Sequence, residues 1–169
     1  AWVGTGSLLN VSTRQEGPHQ NTWLCGSSCS MKPLEKSMID GNELSNQLRQ
    51  FIGSEQVFYS PLNRSVLYTE GFKHFLQNAG NGAYWLLDIL ITQPEILKGV
   101  RDHGIVFIHL KVENSQAKLY VNRDSGEIPL YGRHIAFTDC PEAPSSIDDP
   151  KGDWLFYFAG NTIMLPSEY

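Results

Sequence analysis

Cysteine is scarce in this sequence, with three residues among 169, at positions 25, 29 and 140. So small and odd a number does not supply a disulfide framework. Cys25 and Cys29 have a spacing that can open a zinc site, but no second pair of ligands follows at a matching spacing, and structural zinc needs four ligands. No glycine-rich phosphate loop follows a predicted strand. The sequence therefore predicts neither a metal nor a cofactor.

Basic clusters and long apolar runs are also missing. The chain has 13 lysines and arginines against 18 acidic residues, a net charge of −5, and the basic residues are scattered singly. Nucleic-acid binders usually carry a basic patch, so this composition disfavours DNA or RNA as a partner. Asp88 interrupts the longest apolar stretch, AYWLLDILI, which is far shorter than the ~18 residues of a membrane helix. We predict a cytoplasmic protein with no membrane segment.

The first part of the chain lacks the pattern of a folded element. Residues 1–30 are rich in glycine and serine, contain one arginine and one glutamate, and show no sustained period of 2 or 3.6. They also lack the basic start and apolar centre of a signal peptide. We interpret residues 1–37 as a flexible tail or a non-native leader, and residues 38–169 as a single domain.

Four helices are predicted before the main strands. The first is capped by Asp40, carries an apolar face of Leu44, Leu48, Phe51 and Ile52, and ends at Gly53. The second is capped by Thr69, with apolar residues at i, i+3, i+4 and i+7. The third spans about 83–91, and the fourth is a short helix over 94–97, stopped by a glycine at 99. A hairpin of VFYS and VLYT lies between the first two helices.

Beyond residue 104 the apolar period changes from 3.6 to 2, which is typical of strands. The predicted strands are IVFIHLKVE, AKLYVN, IPLY, HIAFTDC, and the hairpin WLFYFA–TIMLP around Gly160-Asn161. Residues 141–153, rich in Pro, Ser and Asp, are predicted to be a loop. Helices followed by strands indicate an α+β fold, with the N-terminal helices packed on an antiparallel β-meander in a two-layer single domain.

Cys140 ends the stretch HIAFTDC and raises the question of a nucleophile. Asp139 and Glu142 flank the thiol and disfavour its reactive thiolate form. His134 lies six residues away, which along a strand is about 20 Å, too far for a Cys–His pair. We predict that Cys140 is a small apolar residue at the end of a strand, and we identify no catalytic residue.

Trp85 and Asp88 are the candidate binding residues. They share a helical stripe with Asn81 and Thr92, which is typical of a solvent-facing surface, and a partly exposed tryptophan is favoured at interfaces. Two alternatives stay open. Trp85 could pack against the sheet or the C-terminal tail, and Asp88 could be a general base in an apolar setting.

Two hypotheses about function follow from these residues. The first is a small non-enzymatic binding or interaction module, whose partner is an unidentified protein or small molecule. The alternative is an enzyme whose site is assembled across the fold from Asp88 or Asp139 and a distant histidine. A homodimer is also left open, because Phe107 and His109 share a mixed strand face.

Three segments carry a resemblance to a known family: YTEGFKHFLQNAGNGAYWLLD, FTDCP and WLFYFAGNTIMLPSEY. Over residues 42–169 the chain resembles an uncharacterised family of small bacterial proteins, found in cyanobacteria and on plasmids and phages, that is catalogued as a domain of unknown function. AYWLLD and the terminal LPSEY are its most specific motifs. The resemblance implies a cytoplasmic domain that begins after residue 30 and an accessory role in mobile genetic elements. It transfers no catalytic residue, cofactor or substrate.

Overall fold

The computed structural model describes residues 38–53, 55–124, 127–145 and 152–169. These residues all belong to one compact unit, Glu35–Tyr169. The interpretation of 1–37 as a tail or leader, the Cys25–Cys29 pair, and part of the predicted loop at 141–153 lie outside the described residues.

Four α-helices and a short 3₁₀ helix are present in this part of the chain: α1 (Gly41–Leu48), α2 (Glu70–Asn78), α3 (Tyr84–Thr92), α4 (Pro94–His103) and the 3₁₀ helix Pro166–Glu168. The predicted cap of α2 is confirmed, because the Thr69 side chain accepts a hydrogen bond from the Phe72 backbone N–H. None of the helices in the described part of the chain is both long and apolar enough to cross a membrane.

Two helix boundaries differ from the prediction. Helix α1 ends at Leu48 and tightens into i→i−3 hydrogen bonds at Gln50 and Phe51, so Ile52 falls outside the helix and is 81% exposed. Helix α4 runs past the predicted stop, because Gly99 lies inside it. There Leu130 packs so closely that an added Cβ would lie 2.6 Å from its Cδ1 atom.

Within the described residues, seven strands form one sheet: β1 (Val57–Tyr59), β2 (Leu67–Thr69), β3 (Ile105–Glu113), β4 (Gln116–Asn122), β5 (Tyr131–Ile135), β6 (Asp153–Ala159) and β7 (Thr162–Met164). The α+β class is therefore confirmed. The strand order is β1-β2-β7-β6-β3-β4-β5, and β2 pairs with β7 in parallel. This parallel pair makes the sheet mixed. The sheet is also not the predicted antiparallel meander, because β6 pairs with β3 and lies between β3 and β7.

The strand predicted over HIAFTDC is also different. Only its first two residues belong to a strand, as the end of β5, and the segment from Ala136 to Cys140 has no regular structure. Cys140 is therefore not at the end of a strand, although it is buried as predicted. The chain leaves the sheet here because Asp139 is held by the turn between α2 and α3.

The core lies between the helices and one face of the sheet. Along β3, residues Val106, Ile108, Leu110 and Val112 alternate into this inner face. The ring of Phe75 on α2 packs edge-on against Phe156 of β6, with 4.7 Å between centroids. Since successive side chains on a strand point to opposite faces, the intervening residues form the outer face of the sheet, which is half-buried.

The C-terminal segment is attached to the start of α2 through one carboxylate. Glu168 accepts hydrogen bonds from the Thr69 hydroxyl at 2.6 Å, the Gly71 N–H at 3.0 Å and the Leu165 N–H at 2.9 Å. A carboxylate is favoured at a helix N-terminus, where backbone N–H groups lack partners within the helix. Glu168 of the LPSEY stretch therefore has a structural role, which is to hold the C-terminal segment on α2.

Candidate functional site

Trp85 and Asp88 line an open groove between helix α3 and the end of strand β5. The groove has a volume of about 480 Å³, and its lining comprises Trp85, Asp88, Ile89, Arg133, Ile135, Phe137, Thr138 and Asp139. One wall comes from the helix and the other from the strand and the irregular segment that follows it. The structure thus brings both predicted site residues to one groove, and their role in binding stays a prediction.

Helix α3 presents these residues because its other faces are occupied. Leu86, Leu87 and Leu90 are fully buried in the core, which leaves the position of Asp88 exposed and Trp85 half-buried. Trp85 packs on the core with part of its ring. Trp85 is therefore partly exposed and also in contact with the core.

The opposite wall is built from alternate residues of β5. Arg133 and Ile135 are two positions apart and share the inner face of the sheet, opposite Leu119 and Ala117 of β4. Because β5 is the last strand of the sheet, this inner face reaches the groove at its edge. Phe137 follows outside the strand and is 77% exposed, which is unusual for so large an apolar side chain.

A fixed contact holds the segment after β5 against the helices. The Asp139 carboxylate accepts a hydrogen bond of 2.8 Å from the Asn81 N–H. Gly80 beside it has a positive φ of 62°, and a Cβ added there would lie 2.5 Å from the Asp139 carbonyl oxygen. The glycine therefore permits both the turn and the close approach that position Phe137 and Thr138.

The charges around the groove are not neutralised within it. Asp88 and Arg133 are both exposed, and neither forms an ion pair with another described residue. The groove lining thus combines two aromatic side chains with an exposed carboxylate and an exposed guanidinium group.

Cys140 is adjacent to the groove but is not suited to nucleophilic chemistry. Burial, and secondarily the charge of Asp139, raises the pKa of the thiol to about 12. The reactive species is the thiolate, so the side chain is protonated near neutral pH. Its backbone N–H donates to the Thr138 hydroxyl at 3.1 Å, which helps to shape the segment that carries Phe137.

An aspartate and a distant histidine do meet in the structure, away from the predicted positions. None of the groove-lining residues is a histidine. On the outer face of the sheet, His109 Nδ1 lies 3.8 Å from Asp153 Oδ2, and the Tyr120 hydroxyl donates to the same oxygen. The His109 ring stacks on Tyr120 with 4.8 Å between centroids. A carboxylate near Nδ1 can favour one orientation of an imidazole, but 3.8 Å is longer than a hydrogen bond.

The fold and the groove together define a compact α+β domain with an open, aromatic-lined groove at the edge of its sheet. Residues 42–169 match the family described as Family of unknown function (DUF6876), and the chain belongs to that family. The family resemblance inferred from the sequence is thereby confirmed. No curated protein matches the chain, and no solved structure matches it. The stretch AYWLLD contributes Trp85 and Asp88 to the groove, whereas LPSEY contributes Glu168, which accepts hydrogen bonds at the start of α2.

Proposed function

We propose that this protein is a cytoplasmic, non-enzymatic binding module, and that the groove between α3 and β5 holds a short segment of a partner protein. The observation that carries the proposal is the 77% exposure of Phe137 beside the half-buried Trp85. Aromatic side chains of this kind supply most of the binding energy where two protein surfaces meet. Exposure of the apolar Phe137 ring to water is unfavourable in the free protein, and a partner that covers the ring removes this exposure.

The chemistry of the groove indicates what the partner segment contains. An aliphatic or aromatic side chain fits between Trp85 and Phe137, against Ile89 and Ile135. A basic residue on one side of this anchor would face Asp88, and an acidic residue on the other side would face Arg133. Opposite charges at the rim set the direction of the segment and speed its association.

The open shape and the charge of the groove favour a protein segment over a small molecule or a nucleic acid. Sites for small molecules bury most of the ligand in a concave cavity, whereas Phe137 projects into solvent. Two acidic residues, Asp88 and Asp139, line the groove with a single arginine, which disfavours the phosphate backbone of a nucleic acid.

The proposal also includes the layer arrangement of the domain and the cellular compartment of the protein. The buried residues of the helices join those of the inner sheet face in one core, which supports a two-layer arrangement with the groove at its margin. A free, buried Cys140 is compatible with a reducing compartment. We place the protein in the cytoplasm as an accessory protein of mobile genetic elements that acts by binding and not by catalysis.

Selection from a displayed peptide library against the full chain tests this proposal. We expect selected peptides to share an apolar anchor with charged neighbours, and Phe137→Ala to weaken them by at least about tenfold. Trp85→Ala is expected to have a similar effect. Tyr59→Ala is the matched control, because Tyr59 is another exposed aromatic residue and lies outside the groove. Equal peptide binding by Phe137→Ala and the wild type would show that the groove is not the binding site.

A further inference from the structure

Three basic side chains stand in one row across the outer face of the sheet. Lys111 of β3 lies directly opposite Lys118 of β4, and Lys118 lies directly opposite His134 of β5. Directly paired residues on neighbouring strands have Cβ atoms about 5 Å apart. The row could not be seen in the sequence, where the three residues are widely separated and each basic residue appears alone.

The row is unfavourable for the isolated fold. Like charges directly opposite each other on neighbouring strands are destabilising. Lys111 is compensated by Glu113, whose Oε1 lies 2.8 Å from its Nζ atom. Lys118 forms no ion pair with any of the described residues, and its charge interacts with that of Glu113, whose pKa is lowered first by Lys111 and then by Lys118.

These side chains line a small cavity that is open to solvent. Its volume is about 200 Å³, and Lys111, Lys118 and His134 line it together with Glu113, Asn114 and Gln116. His134 Nε2 donates to Gln116 Oε1 at 3.3 Å, which ties the imidazole of β5 to the start of β4. The cavity therefore combines two ammonium groups and an imidazole, with one carboxylate already paired to Lys111.

We propose that this cavity binds the phosphate group of a small phosphorylated molecule. Ammonium groups bind phosphate oxygens through charge-assisted hydrogen bonds, and an anion between Lys111 and Lys118 removes the repulsion between them. The volume suits one phosphate group with a small substituent. A nucleic acid requires a longer basic surface, whereas this row is three residues wide and Glu113 lies beside it. The site is independent of the peptide groove, because His134 and Arg133 are successive residues and so point to opposite faces of β5.

Thermal unfolding and calorimetric titration of the full chain with inorganic phosphate test the site, with chloride at the same ionic strength as the reference. Phosphate is expected to raise the melting temperature, and the rise is expected to follow the logarithm of the phosphate concentration once the site is filled. Lys118→Met is expected to weaken phosphate binding by about tenfold or more.

Lys98→Met is the matched control, since Lys98 is an exposed lysine on helix α4 and its loss is expected to leave phosphate binding unchanged. Absence of phosphate binding to the wild type, or equal binding by Lys118→Met, would overturn the proposal. So would a single-stranded oligonucleotide that binds more tightly than phosphate and loses its affinity in Lys118→Met, because the row would then serve a nucleic-acid backbone.

Discussion

Replacement of Glu168 by alanine is expected to lower the free energy of unfolding by about 2 to 4 kcal/mol. The carboxylate accepts hydrogen bonds from Thr69, Gly71 and Leu165. The two backbone N–H donors would lose this partner, and the Thr69 hydroxyl would keep its longer contact of 3.5 Å with the Ile163 carbonyl oxygen. Two of the three belong to the first turn of α2 and its cap, where no intrahelical acceptor is available. The 3₁₀ helix would detach from α2, and the buried Leu165 would lose its fixed position.

Urea unfolding of the wild type and variants measures this effect. Glu168→Gln keeps the shape and one acceptor oxygen, so we expect a smaller loss than for alanine. Glu55→Ala serves as the control, because Glu55 is exposed and outside this network, and its loss is expected to fall within about 0.5 kcal/mol of zero. An effect of Glu168→Ala as small as that of the control would contradict a structural role for LPSEY.

Replacement of Gly80 by alanine is expected to destabilise the protein by about 2 to 4 kcal/mol and to weaken peptide binding in the groove as well. The new Cβ would require a left-handed backbone conformation, with φ at 62°. It would also lie 2.5 Å from the backbone oxygen of Asp139, which cannot rotate away as the end of a flexible side chain can. The segment with Phe137 would have to move.

Gly160→Ala separates these two contributions. Gly160 has a similar φ of 59°, but no atom lies within 4 Å of the position that a Cβ would occupy. We therefore expect a loss of only about 1 kcal/mol and unchanged peptide binding. If urea unfolding gives equal losses for the two variants, the contact between Gly80 and Asp139 does not position the groove.

Much of the fold could be predicted from local patterns. The cap at Thr69, the alternation along β3 and the turn at Gly160-Asn161 are each determined by a few neighbouring residues, and the structure has all three. The predicted end of α4 is wrong because a glycine usually ends a helix, whereas Gly99 gives room to Leu130 from a distant part of the chain. The strand order depends on which edge of β3 pairs with β6, and no pattern of neighbouring residues predicts this pairing.

The sequence predicts only the part of the candidate site that depends on neighbouring residues. Trp85 and Asp88 follow from helical spacing within one element. Phe137 was missed because FTDC continues the alternation of β5, and only the contact between Asp139 and Asn81 draws it out of the sheet. Asp153 was assigned to a loop, and the strand register that brings it to His109 joins residues far apart in the chain.

The most direct test of the central claim is to map a selected peptide on the isotope-labelled protein by two-dimensional ¹H–¹⁵N NMR. We predict that the largest shift changes occur at the Trp85 indole N–H and the backbone N–H groups of Asp88, Arg133 and residues 137–139. The outer-face residues Lys111 and Lys118 are expected to remain unchanged. Changes concentrated on the outer face, with the signals of Trp85 and Phe137 unaffected, would contradict the assignment of the groove as the binding site.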